Sequence, residues 1–395
     1  MSTAAAAAPE RRGRMPNLEL PQKAQLPVAI AFVVLLIILP FFFAPGGSVM
    51  NNLVLAAAYA VMALGLNIIV GFAGLLDLGY VAFYAIGAYA MGYGGSLFLS
   101  ELTGDKGFAV FVSGPAAELP GVHMNFLLIL VLAIVLTTVA GMVIGLPTLR
   151  LRGDYIAIVT LAFGEIIGRI AINGDEIRLG KFQLTAGRQG ITPVDKVQLP
   201  GLERFTSLDL RAWYWLALAL AVLVLLVNFR LRDSRLGRAW IALREDEVAA
   251  ASMGVPLVKT KLLAYGTGAA FGGMSGAFLA SYTNTVNADQ FQFSFSIFIL
   301  AMVILGGLAS IWGVVLGAIV LSVINNYLIP DVLNSVPQRL GLDFDLTEVT
   351  AGIFGFMLVI MMVLRPEGLL PERRRKLELE EGIGSDDAVY EARMA

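Results

Sequence analysis

Apolar residues run along the chain in about ten blocks, roughly 27–44, 52–72, 79–99, 125–146, 155–173, 212–231, 261–282, 294–310, 312–329 and 347–364, with shorter polar segments between them. Most approach the roughly 20 residues that a helix needs to cross a bilayer. The pattern predicts an all-α polytopic membrane protein of about ten transmembrane helices, several of them interrupted by glycine.

One stretch departs from this alternation. Residues 233–256 carry Arg235, Arg238 and Arg244 together with Asp233, Glu245, Asp246 and Glu247, so they cannot lie in hydrocarbon. Asp233 or Ser234 can cap a helix here, and Gly254 followed by Pro256 stops it. Leu236, Trp240 and Leu243, at i, i+4 and i+7, form one apolar face on this charged helical element. In its second half Glu247, Ala250, Ala251 and Gly254 share a nearly flat side against which another protein could pack. The stretch is either a solvated connector or a docking element.

Composition agrees with the membrane reading. The 395 residues are 57% hydrophobic and 15% charged, and the mean hydropathy is +0.78, against about 45–50% and 25% in soluble domains. The chain has no Cys and one His, which excludes disulfides, thiol catalysis and Cys-based metal sites and argues against a His-dependent triad or metal cluster. The residues thus predict no enzyme, no catalytic group and no metal site, and nothing in the chain suggests nucleic-acid binding. His123, in a predicted external loop, reads as a plain surface residue. The first apolar block lacks a small-residue cleavage site after it and reads as a retained span.

Most of the 28 basic residues fall in the N-terminal tail, the turn at Arg150 and Arg152, the 230–261 stretch and the C-terminal tail. Cytoplasmic segments concentrate Lys and Arg, so both termini are expected inside. The expected organisation is a cytoplasmic N-terminal tail (1–26), a transmembrane domain (27–366) with an external loop (174–211) and a cytoplasmic loop (232–260), and a disordered cytoplasmic tail (367–395). The external loop is long enough to form a small cap that receives an external partner.

Glycines interrupt the apolar pattern at 67–79 and again at 304–317. Such breaks at membrane depth are tolerated where protein or a water-filled path covers the backbone, and paired breaks in two halves point to a transport site. Asn67, Gly71, Gly74 and Asp77 are therefore candidate pathway residues, the alternative being simple helix packing. For Gly268, Gly272 and Gly276, flanked at the same spacing by Ala264 and Ala280, a close-packing stripe is the better reading. Glu165 and Arg169 lie within an apolar block four positions apart. They can pair and should face inward or towards an interface, either bracing helices or bordering the pathway. No Gly-x-x-x-x-Gly-Lys-Ser/Thr sequence is present, so any ATP-driven step needs another chain.

Residues 65–79, 150–165, Leu184-Thr-Ala-Gly-Arg-Gln-Gly-Ile191 and 237–254 together resemble the LivM-type permeases of bacterial branched-chain amino acid ABC importers, in a family that also holds sugar and urea permeases. The resemblance spans roughly 50–370. Its external motif is usually Leu-Thr-Gly-Gly; here Ala186 replaces the first Gly. The resemblance implies a permease subunit in the bacterial plasma membrane, paired with a second homologous permease, two ATP-binding subunits that hold ATP and Mg, and an extracytoplasmic substrate-binding protein. It also implies that a coupling helix bearing Arg244, Glu245, Glu247, Ala249, Ala250 and Gly254 docks on the ATPases. Urea or short amides are the rival cargo. A stand-alone secondary transporter is the rival class, with Asp77 and Glu165 as its available carboxylates.

Overall fold

The computed structural model describes residues 36–103, 107–112, 119–149, 151, 154–180, 182–199, 204–333, 350–365 and 367–370. The N-terminal tail, the start of the first apolar block, Arg150, Arg152 and the C-terminal tail beyond 370 lie outside them. The chain divides into two compact units, Met1–Ala44 and Pro45–Ala395. In the first, residues 36–38 form a helical turn that tightens into a 3-10 turn at Leu39–Phe42.

The second unit is mostly helical. Its main helices are α1 (Ser48–Asn67), α2 (Val81–Gly94), α3 (Phe126–Thr148), α4 (Asp154–Asn173), α5 (Arg211–Arg232), α6 (Arg235–Glu245), α7 (Glu247–Ser252), α8 (Leu257–Thr283), α9 (Phe293–Gly306), α10 (Ile311–Val323) and α11 (Thr350–Leu364). α1 and α10 continue as π-helical turns, Ile68–Phe72 and Ile324–Leu333. Among the described residues, five helices are long and apolar enough to cross a membrane: Ser48–Phe72, Phe126–Thr148, Tyr155–Asn173, Arg211–Arg232 and Ile311–Pro330. This is a multi-pass helical membrane protein.

α8 is the central helix, packed against α1, α2 and α3. Its small residues explain the closeness. A methyl group at Gly276 would meet the Tyr84 carbonyl, one at Gly272 would lie 3.1 Å from Phe83 Cβ, and one at Gly268 would lie 2.8 Å from the Gly65 carbonyl. α2 reciprocates, because a methyl at Gly87 would come within 2.5 Å of Gly273 Cα. Backbones that approach this far exchange side-chain volume for van der Waals contact along the whole helix. The expected packing stripe is therefore what the three glycines form.

At the end of the unit remote from residues 233–256, short strands gather the loops. β1 (Gly95–Ser96) pairs antiparallel with β3 (Gly121–Met124), which pairs in parallel with β2 (Gly107–Val110). β4 (Arg178–Leu179) and β5 (Phe182–Gln183) make a small hairpin. Bridges from Val194 to Ser96 and from Ile191 to Val286 lay the segment after this hairpin across the ends of α2 and α8.

Here the chain's histidine departs from its expected surface position. His123 is 1% exposed. Its Nδ1 lies 2.5 Å from Asp195 Oδ2, and Arg204 Nη2 donates to the other carboxylate oxygen at 2.7 Å. Ala186 has φ −86°, so a Cβ is accommodated without strain where the resembled motif carries Gly. The next residue, Gly187, has φ +56° and keeps its glycine.

Candidate functional site

The charged stretch folds as two short helices. Ser234 Oγ accepts from the Gly237 amide (3.2 Å) and caps α6. Gly237 lies so close to the Leu231 and Arg232 carbonyls that a side chain there would block the turn out of α5. Trp240 is fully buried, with its Nε1 donating to the Thr260 carbonyl at 2.9 Å, and Leu243 is buried beside it. Leu236, the third residue of the expected apolar face, is 36% exposed. At Asp246 the chain turns extended and starts again. Its Oδ1 accepts from the Val248 and Ala249 amides at 2.7 and 3.0 Å, capping α7. Gly254, at φ +83°, ends the element before Pro256 leads into α8.

Of the flat side expected from Glu247, Ala250, Ala251 and Gly254, the last two are exposed, Ala250 is turned inward and Glu247 is half-buried. Ala250 is 4% exposed, and Glu247 Oε1 is 2.6 Å from Nζ of Lys261, an α8 residue that is itself buried. Burying that ammonium requires a partner, and the nearest carboxylate supplies it. The outward side carries Glu245, Ala249, Ala251 and Gly254, with two protruding apolar groups, Val248 (62% exposed) and Met253 (86% exposed).

Beneath α6 lies the first glycine-rich break. Residues 73–80 are not helical: after the π turn, Gly74 adopts φ +70°, with no room for a side chain beside Arg244. Asp77 is buried and its Oδ1 accepts from the Gly79 amide at 2.8 Å, while the Leu78 amide donates to Thr160 Oγ1 of α4 at 3.0 Å. In this connection between α1 and α2, burial pushes the Asp77 carboxyl up to about 6, with the Gly79 amide and Thr160 hydroxyl pulling it down. The Val81 amide donates to Ser296 Oγ of α9 at 3.0 Å.

The second break, between α9 and α10, has Gly307 at φ +116° and Ala309 at φ +66°. Asn67 Oδ1 accepts from the Ala309 amide at 2.9 Å, so the two breaks are joined directly. Gly71 fits between them because a Cβ would lie 2.7 Å from that same amide.

Arg244 ties this junction to the charged helices. Its Nη1 donates to the Gly71 carbonyl at 2.8 Å, a charge-assisted bond to a group beside the π turn. It also lines two cavities: one of about 500 Å³ between residues 73–76 and 243–248, and one of about 370 Å³ with Phe72, Arg238 and Ala309. Asn67, Gly71 and Gly74 thus gather with Arg244 and Ala309 in one place, while Asp77 lies further along the same break, held at the Gly79 amide.

Glu165 and Arg169 are not part of it. Both are exposed on the outward face of α4 and among the described residues they form no ion pair with each other, so of the two orientations expected the inward one is not what the helix adopts.

Sequence reasoning missed Thr160, Ala309 and Lys261 as partners of this site, because their bonding groups belong to elements far away in the chain. It also missed a third cavity, of about 550 Å³, lined by Tyr59, Tyr84, Phe295, Phe298 and Phe354 with Gln290 and Asn325. Its rings pack closely, with Tyr84 and Phe295 centroids 4.9 Å apart and Tyr59 and Phe298 5.5 Å apart.

A bundle of apolar helices around a glycine-rich core, broken twice beneath a charged two-helix element, defines a membrane permease. The family described as branched-chain amino acid transport system / permease component matches residues 48–362, and the chain belongs to that family. It is 36% identical over 378 residues to the high-affinity branched-chain amino acid transport system permease protein LivM of Escherichia coli, covering 91% of this chain and 78% of that protein. A probable branched-chain amino acid transport permease protein LivM of Methanocaldococcus jannaschii is 28% identical over 334 residues, covering 80% of this chain and 91% of that protein. The LivH permease protein of the same Escherichia coli strain is 23% identical over 337 residues, covering 81% and 93%. No solved structure matches the chain.

Proposed function

We propose that the chain is the permease subunit of a bacterial ABC importer for branched-chain amino acids. It forms half of the pore with a second homologous permease. Two separate ATP-binding subunits, which hold ATP and Mg, drive it, and an extracytoplasmic binding protein feeds it. It lies in the plasma membrane with both termini and the α6–α7 element in the cytoplasm. The names of the LivM and LivH relatives support the cargo.

The seating of Arg244 on Gly71 is the observation that carries the coupling mechanism. Val248 and Met253 protrude from α7 and supply the apolar contact that an ATPase cleft would enclose, ringed by Glu245 and Asp246. Closure of the ATPases displaces α6–α7. Arg244 and the buried pair Trp240 and Leu243 then carry that displacement to the two joined breaks, which shift the pore between access states. Moving such an equilibrium from 1:99 to 99:1 takes about 5.5 kcal/mol. One charged hydrogen bond contributes about 1.5–3 kcal/mol, so Arg244 acts together with the packed apolar residues and not alone. The cavity framed by Tyr59, Tyr84, Phe295 and Phe298 suits a small solute with an apolar side chain on its way through.

Co-purification from membranes expressing all subunits tests the docking. Val248→Asp with Met253→Asp should release the ATPases, whereas Arg244→Ala should keep them bound and lose leucine uptake in vesicles. Retention of ATPases and uptake by both variants sinks the assignment, as does uptake that persists without any ATPase and collapses with the proton gradient. Urea transport in place of leucine would keep the coupling and change the cargo.

A further inference from the structure

The outward surfaces of the helices are not alike. On α3 the exposed side chains include Leu127, Val131, Val135, Val139 and Val143, a stripe suited to lipid. On α4 the exposed stripe is Tyr155, Ile158, Ala162, Glu165, Ile166 and Arg169. Among the described membrane-crossing helices, α4 is the one that carries ionised side chains away from its ends. Glu165 sits near the middle of the 20-residue helix, too deep for so short a side chain to reach the headgroups. A carboxylate held outward at that depth needs a polar partner or water, because hydrocarbon would not solvate it, and Arg169 stands one turn nearer the end of the helix on the same face. The inner face of α4 is already committed: Thr160 holds Leu78, Gly164 touches Gly79, and Gly168 lies against the Phe291 carbonyl. The helix cannot turn its charges inward without breaking these contacts.

We propose that the Glu165–Arg169 face of α4 is the surface on which a homologous permease chain of the same fold packs, closing the pore between the two subunits. The inference rests on the reading of this chain as one permease subunit of an importer, and it adds which face meets the partner. Three observations select that occupant. The stripe carries one acid and one base, so a partner that presents equivalent positions can neutralise both charges. Ala162 lies between the charged and apolar parts of the stripe and leaves room for close approach. Finally, LivM and LivH proteins occur in one organism and both align with most of this chain, so a partner of the same fold exists among its relatives.

The test is a photocrosslink in native membranes expressing the whole transporter. p-Benzoylphenylalanine is placed at Ile166 and, as the control, at Val139 on α3, and adducts are identified by mass spectrometry. The surface predicts a covalent adduct from position 166 to the homologous permease and none from position 139. A second experiment exchanges the charges, Glu165→Arg with Arg169→Glu, and should lower recovery of the partner permease while the ATPases remain bound through α6–α7. Lipid-only adducts at 166, adducts to a second copy of this chain, or adducts to the ATPase or binding protein each overturn the proposal. So does unchanged recovery of the partner after charge exchange. A transporter that still shows ATPase-dependent uptake while 166 labels only lipid would remove this surface and leave the importer reading intact. Uptake independent of ATPases would remove the importer reading itself.

Discussion

At Gly87 and Gly273 two helix backbones touch, and the identity of one residue sets how closely α2 and α8 can pack. A Cβ at position 87 would lie within 2.5 Å of Gly273 Cα, and neither backbone can yield without moving a whole helix. Gly87→Ala should therefore destabilise the protein by about 1–3 kcal/mol or more, as overpacking does. Gly352 offers the contrast: nothing lies within 4 Å of a Cβ there. Gly352→Ala should be neutral or gain a few tenths of a kcal/mol from helix propensity, at most about 1 kcal/mol. Thermal unfolding midpoints of the two purified variants in detergent check this, and equal shifts would refute the packing argument. Both positions are glycine in the sequence, and only the distance to the neighbouring backbone separates them.

At the scale of the element, α6 and α7 depend on the buried pair that fastens α7 to α8. Lys261 is 3% exposed and its ammonium is matched by Glu247 at 2.6 Å. Glu247→Gln leaves a buried cation without its counter-charge and should cost about 3–5 kcal/mol, whereas the double change Glu247→Leu with Lys261→Met should recover most of the loss. A double-mutant cycle on thermal stability reads the coupling between them. If Glu247→Gln alone were harmless, the carboxylate would be free to face an ATPase, as the sequence pattern suggested. The caps of this element were legible in advance, because Ser234 and Gly254 act on backbone a few residues away. The inward turn of Ala250 was not. It follows from the Asp246 break, which resets the helical phase between α6 and α7.

For the whole molecule, Asn67 decides whether the two glycine-rich breaks move together. Its Oδ1 accepts from the Ala309 amide across 242 residues of sequence. Asn67→Ala leaves that buried amide unsatisfied, a loss of about 1–3 kcal/mol. The expected outcome is roughly tenfold or more slower leucine uptake in vesicles, since each 1.4 kcal/mol is about a factor of ten, with the ATPases still co-purifying. Unchanged uptake would mean that the breaks act separately. The same distance in sequence separates what could be anticipated from what could not.

The sequence by itself determined the membrane class, the approximate helices, the caps of the charged element and the small-residue stripe of α8. Each of these follows from a period of 3.6 residues or from side chains acting on their immediate backbone. Only the tertiary structure decided that Arg244 meets Gly71, 173 residues away. The same holds for Asp195, which claims a buried His123, and for Glu165 and Arg169, which face outward unpaired with each other. A helical period specifies which residues share a face but leaves open which neighbour that face will meet. That choice was made by the glycines that let α1, α2 and α8 close together, and by Thr160 and Ser296, which hold the first break in place.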